Sequence, residues 1–287
     1  MTLPRRLICS SHTISGVMPG GPVAARHPFE RRVAACAAAG YQGMCLHLRD
    51  YRALVEAGRD EGWLAAVLLR HGIVEISLEF LTDWFLDGAD GEQSRLDEAT
   101  AYAAARTLGA HTFNVGPDLQ GRGIEFGLMR RRLAALCERA AGQGLKVAVE
   151  IVAWSNVRDT DTALALIDGL PNAGLVIDAW HVFRGGVPLA DLERIPGDRI
   201  FAIQITDAAR TVRGPLAEDT LHRRPCGDGV FDLDGFLSSL DRACAQVPVS
   251  VEIISPQLAR LDVAEAARRS IAGARRLIER MGSRPPV

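Results

Sequence analysis

The chain has 287 residues, 48% hydrophobic and 24% charged, and its 33 Lys and Arg against 35 Asp and Glu leave a formal net charge of −2. That length suits one large α/β domain or two ordinary ones, and the charge balance argues against nucleic acid as a partner. Cys9, Cys36, Cys45, Cys137, Cys226 and Cys244 form no CxxC pair and read as reduced thiols. The N-terminus has no signal-peptide stretch and no apolar run is long enough to span a membrane, so a cytoplasmic location is expected.

In chain order, short apolar runs alternate with longer amphipathic ones. RLICSS (6–11) reads as the first strand. PFERRVAACAAAG then carries an apolar stripe and stops on Gly40, a C-cap signal. GMCLHL (43–48) is the second strand, followed by a helix through DYRALVEAGRDEGWLAAVLLRHG as far as Gly72. VEISLEF (74–80) is the third, and SRLDEATAYAAARTLG is a helix ending on Gly109. HTFNVG (111–116) precedes the helix FGLMRRRLAALCERAAGQG, which stops at Gly142 or Gly144. KVAVEIV (146–152) leads to DTDTALALIDGL, where Asp or Thr caps the start. GLVIDA (174–179) is followed by a short helix, PLADLERI, then by FAIQIT (201–206). DLDGFLSSLDRACAQ precedes the last strand, VSVEII (249–254). DVAEAARRSIAGARRLIERM closes the chain before a frayed tail over 282–287. GRGIEFG and 207–230 are long connections of the kind that form active-site loops.

Eight strand–helix units imply parallel pairing through right-handed crossovers. The fold expected is α/β, a single (β/α)8 TIM barrel over residues 1–287. An open doubly wound sheet usually announces itself with a GxGxxG turn after the first strand, and SSHTISGVMPGG is not one.

Near the ends of strands five to eight stand Glu150, Asp178, Gln204 and Glu252. A polar group inside a β-branched run is costly to bury unless something pairs with it. In a barrel, the C-terminal strand ends converge on one face, where the chemistry lies. Three carboxylates and an amide oxygen make a hard, all-oxygen set that favours Mn2+, Mg2+ or Co2+. His181, three residues after Asp178, falls in the following turn as a partner of that set or a substrate contact. Asp207 has the same spacing from Gln204 and could orient an arginine or cap the next segment. His222, Arg223 and Arg224 in LHRRPCGDGVFDL are either a solvated charge run or an anchor for a substrate carboxylate or phosphate. Glu79 near the end of strand three could hold a substrate hydroxyl. Trp84, Trp154 and Trp180 could wall the pocket or pack the core. His12, His47 and Asn114 end strands one, two and four and could face the same pocket.

The ordered set of Glu in VAVEI, D-x-x-H in IDAWH, Q-x-x-D in IQITD, GDG in PCGDGVFDL and Glu in VSVEI resembles the xylose-isomerase-like TIM-barrel superfamily. That group includes sugar-phosphate isomerases and epimerases, ketose 3-epimerases and endonuclease IV. The resemblance spans nearly the whole chain and is strongest from Lys146 to Glu252. It implies that Glu150, Asp178, Gln204 and Glu252 hold one divalent cation per chain, Mn2+ first, with Mg2+, Co2+ or Zn2+ as alternatives and no organic cofactor. It also implies that Glu150 and Glu252 are an acid/base pair and that His181 binds substrate. The implied activity is isomerisation or epimerisation of a sugar, sugar phosphate or related polyhydroxy carbonyl compound through a metal-stabilised enediolate.

Gln204 stands where many epimerases have His. With IPGDRIFAIQITDA it resembles bacterial 3-dehydroshikimate dehydratases, which makes a metal-dependent dehydratase the runner-up. GMCLHLRDY and ISLEFLTDW do not match the acidic and Arg-bearing segments expected of that group. Seven histidines, with His47 and His111 unable to complete a three-metal set, speak against a nuclease. A non-catalytic sugar-binding or partner subunit is the remaining reading. The partner expected is therefore a small polyhydroxylated carbonyl substrate, with no nucleic acid and no membrane, and a homo-oligomer is left open.

Overall fold

Strand and helix alternate along the chain until the last strand pairs with the first. In the computed structural model, which describes residues 5–22, 24–243 and 247–283, eight parallel strands close in chain order. They are β1 (Leu7–Cys9), β2 (Gly43–His47), β3 (Glu75–Leu81), β4 (Thr112–Val115), β5 (Lys146–Glu150), β6 (Ala173–Asp178), β7 (Ile200–Ile205) and β8 (Val249–Val251). The closing pair matches Leu7 with Val249 and Cys9 with Val251.

Side chains alternate across each strand. Leu78, Phe113, Val147, Val149, Leu175, Ile177 and Ile203 are fully buried on one parity and join the layer between barrel and helices. The other parity faces the lumen and carries Glu79, Asn114, Glu150, Asp178 and Gln204 toward the C-terminal ends. An acidic residue can therefore end an apolar run without entering the helix–strand core.

The helices follow their capping signals. Phe29–Ala39 and Glu92–Leu108 end on Gly40 (φ 100°) and Gly109 (φ 72°), left-handed positions that glycine takes without a steric penalty. Asp159 accepts from the Thr162 N–H at 2.8 Å to start Thr160–Ile167. The single helix expected up to Gly72 is instead two, Leu48–Glu56 and Glu61–Arg70. Gly58 turns the chain at φ 80°, and Asp60 starts the second helix by accepting from the Trp63 N–H at 2.8 Å.

Outer strands are shorter than the apolar runs that announce them. β1 and β8 have three residues each, so Ser10 and Glu252 lie just beyond the ladder. The closing helix, Val263–Gly282, runs one residue into the stretch expected to fray; residues 284–287 lie outside the described residues, as does Cys244. The other five cysteines are free and buried. Among the described residues, no helix is long and apolar enough to cross a membrane.

Candidate active site

The C-terminal ends of the strands surround a cavity of about 500 Å³. Its floor is built from Glu79, Asn114, Glu150, His181, Gln204, Arg223 and Glu252, all buried. Asp178, at the end of β6, is the register partner of Gln204 on β7. It also caps the helix Ala179–Gly185, its Oδ1 accepting from the Trp180 N–H at 2.8 Å. That turn returns His181 to the strand end. His181 Nε2 lies 3.3 Å from Glu150 Oε1 and 3.9 Å from Asp178 Oδ2. Its Nδ1 accepts from the Ala153 N–H at 3.3 Å, which leaves the proton on Nε2 to be donated to Glu150.

Glu150, Asp178 and His181 each place a ligand atom within 4.8 Å of the others, a buried group able to hold a metal ion. Gln204 Oε1 is buried beside them with no hydrogen-bond partner in the protein. Such an orphaned acceptor is uncommon in a folded interior and calls for a partner. A divalent cation suits it and the carboxylates together. His181, expected as a partner of the set or a substrate contact, sits beside Glu150 and Asp178, whereas the Glu252 carboxylate is met by Arg223 and Ser10.

Arg223 explains that difference. Its Nη1 donates to Asp178 Oδ2 at 2.7 Å and to Glu252 Oε2 at 3.0 Å. Its Nε and Nη2 both reach Thr220 Oγ1 at 3.1 Å, and the guanidinium lies 5.4 Å from the Trp180 ring centroid. It is neither a solvated charge nor a free anion anchor; every nitrogen is committed within the protein. Two buried carboxylates, Asp178 and Glu252, pair with this buried guanidinium, and Glu150 lies near enough to feel its charge. Burial pushes Glu150 up to about 8, Asp178 adds to the rise, and Arg223 opposes it. Glu252 is held well above the ordinary carboxylate range, again chiefly by burial. Burial also lowers His181 to about 3 and His12 to about 4, so both imidazoles are neutral.

Glu79 pairs in register with His47, and its Oε1 accepts from Ser10 Oγ and the Ser11 N–H, both at 3.0 Å. Ser10 Oγ also lies 3.2 Å from Glu252 Oε1, so one hydroxyl links the two acids. Nothing but the position of Ser10 at the end of a strand-like run signalled this. His47 and Asn114 line the cavity as expected, and the His12 ring meets His47 edge-on at 5.8 Å. Trp154 lines it too, 5.2 Å from His181. Trp84 and Trp180 are buried and do not line it; the Trp84 Nε1–H is spent on the Gly116 carbonyl at 2.7 Å. The rim is mostly apolar, with Val17, Met18, Phe80 and Leu119, and the part-exposed Arg49 adds a charge to it.

Two expected contacts move elsewhere. His222 is exposed and does not line the cavity, because the 3-10 turn Thr220–His222 sends it outward as it sends Arg223 inward. Asp207 is buried away from the cavity and organises the long loop. It accepts from the N–H groups of Ala208 (2.8 Å) and of Gly227, Gly229 and Phe231 (3.0 Å each). The glycines of the GDG motif allow that approach: a Cβ on Gly229 would meet Asp207 Oδ1 at 2.2 Å. A two-way backbone bridge between Asp207 and Arg224, at 2.9 and 2.7 Å, then fixes Arg223 over the site.

A family model described as xylose isomerase-like TIM barrel matches residues 33–278. A 3-dehydroshikimate dehydratase of Pseudomonas aeruginosa is 31% identical over 145 residues, which is 50% of this chain and 22% of that protein. An inosose isomerase of Bacillus licheniformis is 31% identical over 140 residues, 47% of this chain and 50% of that protein. The chain thus spans half or less of the length of these two relatives. A solved structure described as IOLI protein with a binding zinc atom superposes with a TM-score of 0.84 at 22% identity, covering 97% of this chain and 100% of that one.

Proposed function

As the chain belongs to the xylose isomerase-like TIM-barrel family, we propose that it is a divalent-metal-dependent isomerase or epimerase acting on a small polyhydroxylated carbonyl compound. The observation that carries this reading is the buried cluster of Glu150, Asp178 and His181 beside the unpartnered Gln204 oxygen, at the floor of a cavity large enough for a monosaccharide-sized ligand. Glu150, Asp178 and Gln204, with Glu252, would hold the cation. When bound, it supplies Lewis acidity toward a carbonyl and an adjacent hydroxyl, and it favours the ionised carboxylates. The zinc of the structural neighbour supports a divalent ion, and Mn2+ heads those to be tried.

The protein's own residues account for the rest. Glu150 and Glu252 are two buried acids held high by burial, and at about 8 Glu150 can both take and return a proton near neutral pH. One removes the proton next to the carbonyl and the other serves the neighbouring position. His181, neutral and fixed by Ala153, donates from Nε2 and orients Glu150. Glu79 and Ser10 hold Glu252 from the other side. The apolar rim keeps water from the reacting carbons.

One observation favours a second reading. Gln204 and the similarity to a 3-dehydroshikimate dehydratase support a lyase that begins with the same proton removal and then expels a β-hydroxyl. The test has two stages. Elemental mass spectrometry of the wild type and of a Glu150→Gln, Glu252→Gln variant reads bound metal; about one divalent ion per chain, lost in the variant, is expected. The metal-loaded protein is then given ketoses, inosose and dehydroshikimate. Conversion of a neutral ketose or inosose supports the isomerase, new aromatic absorbance from dehydroshikimate supports the dehydratase, and no metal uptake even in excess Mn2+ refutes both.

A further inference from the structure

The floor of the site is also the ceiling of a second cavity. Asn114 and Gln204 line both the upper cavity and another of about 240 Å³ that continues down the barrel axis. In most (β/α)8 barrels that space is filled by layers of bulky branched side chains. Here six inward positions at this level, Cys45, Ser77, Ala148, Gly174, Ala202 and Ser250, are small, and the larger Ile8, Val176 and Phe201 share the axis with them without filling it. Ser77, Thr112 and Ala202 face the lumen yet are part-exposed, so solvent reaches them from the N-terminal mouth.

The wall is polar as well as thin. Among the described residues, three buried side-chain oxygens without a protein partner belong to residues of this one cavity: Asn114 Oδ1, Gln204 Oε1 and Ser250 Oγ. A cation at the site above would take the Gln204 oxygen, leaving its amide nitrogen, Asn114 and Ser250 to the lumen. Buried polar atoms that find no protein partner are satisfied by ordered water where the space is polar and roomy. The carboxylate on the wall, Glu75, is already paired with Arg6, so the lumen offers a cation no unspent charge.

We propose that the barrel axis is a water-filled shaft, open at the N-terminal mouth and ending on Asn114 and Gln204. It gives the floor of the site a solvent route separate from the substrate mouth. With substrate filling the upper cavity and its apolar rim, water and protons still exchange with the site from beneath. The shaft is a property of the barrel and stands whichever reaction the site performs.

A thiol placed along the shaft tests it. Ser250→Cys is treated with methyl methanethiosulfonate, and peptide mapping reads the labelling rate with and without Ala202→Leu as a plug. The introduced thiol is expected to label faster than Cys36 and Cys137, which are buried elsewhere. The plug should slow it by about tenfold or more without changing those two, since exchange rate follows access. Labelling no faster than at Cys36, or a rate the plug leaves unchanged, overturns the shaft. A crystal structure of the unaltered protein gives a second reading that no variant can spoil. Water hydrogen-bonded to Ser250 Oγ and Asn114 Oδ1 is expected there, whereas a dry lumen that takes up xenon overturns the proposal.

Discussion

Arg223→Met removes the buried charge on which the unmetallated floor depends and keeps most of the side chain's volume. In the wild type the guanidinium donates to Asp178 at 2.7 Å and to Glu252 at 3.0 Å, with both partners buried. Deleting one member of a buried ion pair costs about 3–5 kcal/mol, because the remaining charge is left unpaired. An unfolding entropy near 2.1 cal/mol/K per residue converts that to a Tm roughly 5–8 °C lower for a chain of this size. The loss depends on pH in a definite direction. Without the guanidinium, carboxyl groups already raised by burial rise further, and the folded variant keeps protons that the unfolded chain releases. A raised folded pKa contributes stability at low pH and loses it as pH rises. The gap between variant and wild type is therefore widest above Glu150's value of about 8 and narrows toward pH 6.

Metal rescue has a definite sign as well. A divalent cation replaces the missing positive charge, so Mn2+ or Zn2+ should raise the variant's Tm more than the wild type's. Arg223→Lys, which keeps the charge but not the fork, should fall between them. Thermal unfolding after chelation, at pH 6.5 and pH 9 and with and without added metal, reads all three effects. An Arg223→Met protein that unfolds within about 1 °C of wild type at pH 9 without metal, the range of an ordinary surface change, would refute the electrostatic account.

Gln204→Leu removes an unpartnered buried amide, so the metal-free protein should lose no stability, while metal affinity should fall on the order of 10–100-fold or more. Equal affinity by titration would take Gln204 out of the ligand set. Because Glu150 holds its proton up to about 8 and Glu252 is raised as well, metal uptake at pH 7 should release protons and weaken as pH falls; calorimetry in buffers of different ionisation heat reads it. Burial lowers His12 to about 4 against 6.5 unfolded, so the unfolded chain binds the extra proton and stability falls as pH drops through that window, by about 3 kcal/mol in all. His12→Gln should flatten that part of the pH–stability curve. Asp207→Ala strands four backbone N–H groups and should speed amide exchange across 224–231 while leaving the opposite side of the barrel, β3 and β4, protected.

Much of this architecture is legible because a parallel barrel repeats one rule. Each strand is buried on both faces and reads as an apolar run, and each helix ends on a residue whose chemistry stops it. Gly40 and Gly109 mark their helix ends in the sequence and in the structure alike. Where the reading ran two helices together, the stop was Gly58, an ordinary residue in a polar stretch whose left-handed turn shows only once Asp60 is seen capping the next helix. β1 and β8 shrink because an apolar run records burial, whereas the ladder ends where the strands diverge toward the cavity.

The site divides along the same line. Glu150, Asp178 and Gln204 were legible because a strand fixes them twice, by parity and by position at its end. His181 was legible as a neighbour of Asp178 but not as a member of the cluster, because that depends on a helical turn folding it back toward Glu150. Residues on the 207–232 connection had no such frame. His222 and Arg223 are adjacent and both basic residues, yet one is exposed and the other is buried against two carboxylates. The choice between them is made by Asp207, which pins the glycine turn, and by the backbone bridge to Arg224, which sets the phase of the chain over the cavity. The Q-x-x-D spacing thus has a purpose different from that of D-x-x-H. Its first residue puts an unpartnered oxygen at the floor of the site, and its last builds the loop that delivers Arg223 to it. A chain with Gln204 and Glu252 intact but Asp207 altered should keep its ligands and lose the arginine that balances them.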